Sequence, residues 1–480
     1  MLTSAPITTI AIVGAGFSGC LVATHLLKTA NRPLLIELID RSHEIGPGVA
    51  YSTHDTSHLL NVSAGKMSAF SDDPGHLLRW LDYNRSELAA FLPNDLNASS
   101  FIPRHIYALY IQSILEEAEA TASSNVRLER VIDEVVAVEP QASGAIVSLR
   151  SGCAFVADKI VLAVGNAPAV PSASQTKDDD TPYLRHAWSA SALAGLELDA
   201  PVLLIGTGLT MMDMVVSLHS RHHQGKIYAV SRRGLLPLTH RATKPYPAFL
   251  TPDTAPTTIR GLLRCIRSEV QTAALQGCDW RSAIDSLRPI TQQLWQQLGR
   301  VEQRRFLRHA TPYWDVHRHR IAPEMGDVVR EMLESGQLAI TAGRIQDYQA
   351  VPDGVAVTVR DRQTQTNRVL QVSRAVNCTG VQIDYRRSPQ PPIANLRAQG
   401  LIRPNDIGLG LDTAADGAVL DARGNPSSLL YTLGTPRRGD LWETIAVPEL
   451  RDQALALAAT LNQAVVANEY KGLENSPART

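Results

Sequence analysis

The sequence predicts an α/β protein made of two Rossmann-like dinucleotide-binding domains, with a helical insertion in the second. Three observations carry this. A short apolar strand, a glycine turn, a helix and a second apolar strand follow one another at residues 10–40, and the same order recurs at 201–231. Each copy is followed later by an apolar run ending in glycine, VLAVGN at 161–166 and AVNCTG at 375–380. Short β-branched runs of this kind are typical of strands covered on both faces of a parallel sheet.

Residues 10–13 read as the first strand, 18–28 as a helix, and 34–39 as a second strand ending at Asp40. The stretch 41–74 is irregular, and loops this long within a compact domain usually serve function. Helices are expected at 76–83 and 105–120, and alternating strands at 126–138, 145–149 and 155–164. The Pro-, Ser- and Asp-rich stretch 167–180 reads as a crossing between domains. The second copy has strands at 201–205 and 227–230 around a helix at 210–219; residues 255–335 then read as mostly helical. Strands are expected at 338–345, 355–360, 375–378 and 428–433, a helix at 444–467, and a frayed polar tail at 469–480.

At 480 residues the chain has room for about three domain-sized units. Its 46 basic and 47 acidic residues give a net charge of −1, so no bulk charge draws it to nucleic acid or anionic membrane. Aromatic residues are 5%, which weakens any case for a base-stacking platform. Five cysteines without a C-x-x-C pair argue against a disulfide scaffold and a dithiol redox centre. No apolar run reaches the roughly 18 residues of a membrane span. The N-terminal run lacks a basic lead and is split by three glycines, so it does not read as a signal peptide. A cytoplasmic protein with reduced thiols is expected.

Gly14, Gly16 and Gly19 fit G-x-G-x-x-G. The first allows a tight turn, the second a close pyrophosphate, and the third close helix–strand packing. Ala15, Phe17 and Ser18 complete the loop, whose helix N-terminus offers free N–H groups to phosphate. Asp40, with Arg41 after it, ends the second strand, where an acid accepts from ribose hydroxyls. A glycine turn without a ligand is the plain alternative. In the second copy Gly206, Thr207, Gly208, Leu209 and Thr210 form the turn, but Met211 takes the third glycine slot, so helix and strand must separate slightly or neighbours must compensate. The position matching Asp40 is Arg232, flanked by Ser231 and Arg233. Acid there suits a free ribose and arginine a 2′-phosphate, so a nucleotide without 2′-phosphate is expected in the first half and NADP(H) in the second, and two such sites in this order point to FAD followed by NADPH. The alternative is a solvated arginine pair. Two such sites in one chain define a glutathione-reductase-like two-domain flavoprotein. A discontinuous FAD domain is expected at 1–178 and 384–480, and an NADP(H) domain at 179–383 with its helical insertion at about 250–335.

The stretches GAGFSG (14–19), IGPGVAYST (45–53), HLLNVSAGKMSAF (58–70), VLLIGTGLTMMD (202–213), SRRGLLP (231–237), YWDVHRHR (313–320) and LLYTLGTPRRGDLWETIAVPELRDQA (429–454) together resemble a bacterial family of FAD/NAD(P)-binding monooxygenases. That family includes FAD-dependent urate hydroxylases and flavin-dependent L-aspartate N-monooxygenases. The resemblance implies that Leu60, Asn61, Val62, Lys66 and Met67 pass the flavin ring, and that Gly165, Gly434, Trp442 and Glu443 complete the FAD site. It also implies a reaction in which NADPH reduces FAD, O2 adds to give a C4a-hydroperoxyflavin, and a small polar substrate is hydroxylated. That substrate is a purine such as urate, or an amino-acid-like amine. The aspartate-oxidising relatives are longer chains, which sets this sequence apart from them. Such chemistry needs water exclusion and donors near the flavin rather than a Ser-His-Asp or metal set, and no metal site is expected.

Side-chain catalysts are otherwise unknown, with Asn61 and Lys66 the candidates; loop capping and a solvated ammonium are the alternatives. His317, Arg318, His319 and Arg320 either bind an anion or form an ion-pair cluster with Asp315 and Glu324. Arg437 and Arg438 either touch a phosphate or an anionic substrate, or lie in an exposed turn. Cys20 and Cys378 read as core residues. An NADPH-dependent reductase without oxygen insertion and a non-enzymatic flavin-binding partner protein are the competing readings. The intact second fingerprint argues against the latter.

Overall fold

The computed structural model describes residues 7–168, 184–189 and 191–474. β1 (Thr8–Val13), α1 (Phe17–Thr29) and β2 (Leu34–Asp40) form the first βαβ unit. The short helices α2 (Gly48–Tyr51), α3 (His76–Tyr83) and α4 (Arg85–Leu88) precede the long α5 (Arg104–Ala120), which leads to β3 (Val126–Ile132). β4 (Val135–Pro140), β5 (Ala145–Leu149) and β6 (Ala154–Ala157) form a small antiparallel sheet, after which β7 (Lys159–Leu162) pairs in parallel with β1.

β8 (Ala167–Pro168) and β9 (Leu184–His186) precede the second βαβ unit, which is β10 (Val202–Ile205), α6 (Leu209–Ser220) and β11 (Ile227–Ser231). Six helices follow: α7 (Ile259–Leu275), α8 (Trp280–Asp285), α9 (Thr291–Gln297), α10 (Arg300–Arg305), α11 (Thr311–Arg318) and α12 (Pro323–Glu334). β12 (Leu338–Val351), β13 (Gly354–Asp361), β14 (Asn367–Val372) and β15 (Arg374–Asn377) complete a seven-stranded sheet of order β14-β13-β12-β11-β10-β15-β9. The chain then passes through β16 (Val381–Gln382), which pairs with β8, and α13 (Pro391–Ala398) to β17 (Ala418–Leu420) and β18 (Pro426–Thr432). β18 pairs in parallel with β7, so the first sheet reads β17-β18-β7-β1-β2-β3. The short α14 (Arg438–Leu441) and the long α15 (Val447–Glu474) close the chain.

The fold class is as expected: two α/β sheets, each with a nucleotide-type βαβ unit. Ile10, Ile12, Ile36 and Leu38 are wholly buried beneath α1, and burial of a side chain of this size stabilises by about 1.5–3 kcal/mol. Met211 is also wholly buried, packed with Val202, Leu204 and Val376, so in the second unit a flexible thioether fills the space under the helix.

Several elements differ from the expectation. The run 126–138 breaks at Asp133, whose N–H donates to the Asp40 carbonyl (2.9 Å) while its carboxylate accepts from the Glu134 N–H (2.7 Å). The run 155–164 breaks at Asp158. Its N–H donates to Thr9 O (2.8 Å) and its carboxylate accepts from Thr9 N (2.8 Å), clipping the chain to the start of β1. In both places a short polar side chain competes for backbone groups and ends the ladder. β14, α13 and β17 were not anticipated. α15 runs to Glu474, so the expected frayed tail is helical at its start. Most of the expected crossing at 167–180 lies outside the described residues. No helix among the described residues is long and apolar enough to cross a membrane.

Candidate active site

The first glycine turn follows β1 directly. Gly14 has φ +107°, and its N–H donates to Ile39 O (2.8 Å). Gly16 caps α1 without any side chain over the first-turn N–H groups, which stay free for an anion. A Cβ on Gly19 would lie 1.9 Å from Gly14 O, so this position is glycine for close packing. Asp40 accepts from Ala15 N through one oxygen (2.8 Å) and from Ser42 N through the other (2.9 Å). Each oxygen keeps a lone pair for a ribose hydroxyl. Gly14, Gly16, Phe17, Ser18, Asp40 and Arg41 line one cleft of about 370 Å³, with Gly165 at its edge. Gly165 has φ +63° and only open space where a Cβ would stand. Ala15 and Gly19 are buried behind this wall. The uncapped helix, the spare acceptors of Asp40 and the open cradle at Gly165 fit a dinucleotide.

The loop expected along the flavin is held from both sides. Leu60 is buried, and its N–H donates to Ile102 O (2.9 Å). Tyr107 Oη donates to Met67 O (2.9 Å), and Val62 packs on the first core. The Asn61 carbonyl accepts from His240 Nε2 (2.9 Å), which fixes the proton on that nitrogen. Burial pushes the His240 imidazole down to about 4, so it is neutral near pH 7. Asn61 Oδ1 is buried without a partner, an acceptor left open for a ligand donor. Lys66 is exposed. Gly434 sits at φ +72°, where a Cβ would lie 3.6 Å from Ser18 Oγ, so the end of β18 abuts the start of α1.

In the second cleft Gly208 caps α6, again with no side chain over the N–H groups and with open space at its Cβ. Leu209 and Thr210 form the first turn of that helix, and Gly206 repeats the φ of Gly14 at +108°. Thr207 is spent internally: its hydroxyl meets Ser231 Oγ (2.8 Å) and Leu235 O (2.6 Å). Arg233 donates to Tyr313 Oη (3.0 Å) and lies over that ring. Arg232 is exposed, and its guanidinium has no hydrogen-bond or ion-pair partner among the described residues. Arg362, which no sequence signal pointed to, donates to the Arg232 carbonyl (3.4 Å).

Sequence reasoning also missed the tie between the two halves. Arg104, at the start of α5, pairs with Asp213 of α6 at 3.0 Å, with both side chains buried. Burial raises the Asp213 carboxyl despite Arg104 beside it. Nearby, Ser217 Oγ donates to Asp55 Oδ2 (2.6 Å) and meets His58 Nε2 at 2.7 Å. With its proton committed to the carboxylate, Ser217 accepts from the imidazole and is no nucleophile. The one available signal was an aspartate inside the apolar helix LTMMDMVVSL.

The basic stretch after Tyr313 is mostly paired. Arg318 pairs with Glu443 (3.0 Å), Arg320 with Asp285, and His317 Nδ1 donates to Tyr313 O (2.7 Å). The expected acids were Asp315 and Glu324. Asp315 lies 3.5 Å from His319, whereas Glu443 and Asp285 do the pairing. Arg437 is buried and donates to the carbonyls of Ala414 (3.1 Å) and Ala415 (3.0 Å), so it is not in an exposed turn. Trp442 and Glu443 face the helical insertion: Trp442 stacks on Trp295 (5.0 Å, 28°), and Glu443 accepts from Trp314 Nε1 (2.8 Å). Cys20 and Cys378 are buried, and burial pushes the Cys20 thiol up to about 12.

Residues 11–167 match a family described as FAD-NAD(P)-binding. A search of curated protein sequences finds no match. Among solved structures, L-lysine 6-monooxygenase from Pseudomonas syringae is similar at 18% identity and TM-score 0.64, covering 96% of this chain and 100% of its own. Ornithine N-hydroxylase from Kutzneria sp. 744, solved with reduced FAD, NADP+ and L-ornithine, is similar at 16% and 0.63, covering 95% and 99%. The bacillithiol disulfide reductase of Staphylococcus aureus gives 12% and 0.56, covering 95% and 98%. At these identities the likeness establishes a shared two-sheet flavoprotein fold.

Proposed function

We propose that this chain is an NADPH-dependent FAD monooxygenase that hydroxylates the nitrogen of a small amine: R–NH2 + O2 + NADPH + H+ → R–NHOH + NADP+ + H2O. The observation that carries this reading is the pair of uncapped glycine turns in one chain, one ending at Asp40 and the other at Arg232. The amine is preferred over a purine such as urate because similarly folded proteins are named for lysine and ornithine hydroxylation. The missing C-x-x-C weighs against the disulfide-reductase chemistry also found on this fold.

Bound flavin supplies the electron transfer from NADPH to O2. The protein supplies position. The N–H groups at the start of α1 hold the pyrophosphate and Asp40 the ribose. Leu60, Val62 and Met67 make a dry wall that keeps reactive oxygen from water. Asn61 Oδ1 is the open acceptor beside that wall. Arg232 takes the 2′-phosphate, and the Arg104–Asp213 pair fixes one nucleotide unit against the other. In this reading residues 1–178 and 384–480 form the FAD domain, and 179–383 the NADP(H) domain.

Reaction under 18O2 with an amine panel tests this directly. One 18O atom is expected in a hydroxylated product, with NADPH consumed one for one. If every candidate yields only hydrogen peroxide or NADP+, the chain is a reductase. Arg232→Asp is expected to lower kcat/KM for NADPH by about tenfold or more while sparing NADH, the size of one lost charged hydrogen bond. An unchanged NADPH/NADH ratio rules out Arg232 as the phosphate clamp.

A further inference from the structure

The helical insertion carries a groove of about 900 Å³ that shares no lining residue with the first cleft. One wall is α7; the other is α10 and the π-helical turn Phe306–Ala310 that continues it. Single π turns are rare and recur at functional sites. Arg260, Arg264 and Arg267 line the groove from α7 at i, i+4 and i+7, a spacing that puts them on one face of the helix. Arg305 lines it from α10 and His309 from the π turn.

Like charges at these spacings repel and weaken the helix that carries them. All three arginines are exposed, and none has a hydrogen-bond or ion-pair partner among the described residues. Elsewhere the insertion pairs its arginines, even exposed ones: Arg300 and Arg304 share Asp406, and Arg320 meets Asp285. The one acid of α7, Glu269, accepts from Tyr246 Oη (2.6 Å) and is committed there. The one acid in the groove, Glu302, pairs with Arg305 and accepts from Ile259 N (2.9 Å). The whole chain carries a net charge of −1, so this local excess of cations is not part of a generally basic surface.

We propose that this groove docks an extended acidic segment of a partner protein, with carboxylates at alternate positions. Arginine forks hold carboxylates bidentately. Side chains on one edge of an extended chain recur about every 7 Å, and Arg260 and Arg264 are about 6 Å apart along the helix axis. Ile259 and Leu263 offer apolar contact to the residue between two acids. A phosphate ligand fits less well, because Glu302 already takes the first N–H of α7, where a phosphate would sit. Nucleic acid also fits less well, because no Phe, Tyr or Trp lines the groove for a base to stack on. The proposal concerns recruitment and does not depend on the reaction assigned above.

Fluorescence anisotropy on the FAD-loaded full chain tests it, with a short labelled peptide alternating glutamate and leucine as the probe. The peptide is expected to bind, and to bind more weakly as salt rises. Its glutamine counterpart should bind about tenfold more weakly or worse. Arg260→Glu combined with Arg264→Glu should weaken the acidic peptide by about tenfold to a hundredfold. Both positions are exposed, so the double variant is expected to keep the parent's bound-flavin absorbance. A peptide with lysine in place of glutamate should bind the double variant more tightly than the parent, which a loss of fold could not produce. Sodium triphosphate, a single-stranded oligonucleotide and phosphatidylserine-containing vesicles are the competitors. Absence of peptide binding, peptide binding indifferent to the two substitutions, or tighter binding of any competitor would each overturn the assignment.

Discussion

Gly14→Ala is expected to abolish flavin binding and cost more than about 4 kcal/mol of stability, since it combines left-handed strain with a hard clash. The residue stands at φ +107°, and a Cβ would lie 2.2 Å from Ala163 O. That carbonyl cannot retreat, because β1 and β7 are paired up to Val13 and Leu162 just before it. Thermal unfolding and bound-flavin absorbance measure both effects. Gly165→Ala is the control. Its φ of +63° is strained for alanine, but the space is open, so a fold cost of about 1–2 kcal/mol is expected with reduced flavin content. Wild-type stability and flavin content in Gly14→Ala would show that the turn does not press on Ala163.

Asp213→Ala is expected to destabilise the protein by about 3–5 kcal/mol, because it strands the Arg104 guanidinium in the interior. The two side chains are 1% and 7% exposed and lie 3.0 Å apart. Arg104→Met combined with Asp213→Leu should recover most of that loss, since both desolvation costs disappear together. Denaturant midpoints of the two singles and the double give the coupling. A single mutant within 1 kcal/mol of the parent would mean that water reaches the pair. The double also serves function: if the pair only holds the two nucleotide units in register, stability should return while NADPH-dependent flavin reduction stays impaired.

Both nucleotide units could be read before any coordinates because their determinants are local. Gly14, Gly16, Gly19 and Asp40 act within one βαβ stretch, and the apolar runs at 10–13 and 34–39 carry their burial in their own composition. The contrast of Asp40 with Arg232 is likewise a single position read at the same place in two repeats. Strand breaks were harder, since the Asp133 carboxylate takes the next residue's N–H and the Asp158 carboxylate takes that of Thr9, a residue distant in the chain. The YWDVHRHR stretch showed its charge but not its partners. Only folding brings Glu443 to Arg318, spends Arg437 on two carbonyls, and lays Arg438 over the Trp442 ring.

Periodicity and turn chemistry therefore fixed the two dinucleotide units and their order, because those rules act over a few residues. The tie between the units and the contacts of the helical insertion with the segment after β18 were decided by packing. Arg104 and Asp213 are 109 residues apart, and Trp314 and Glu443 are 129 apart. Contacts at such separations follow no local pattern. They exist because burying the helical insertion against the segment after β18 drives polar groups there to find partners, as Arg318 and Trp314 do on Glu443.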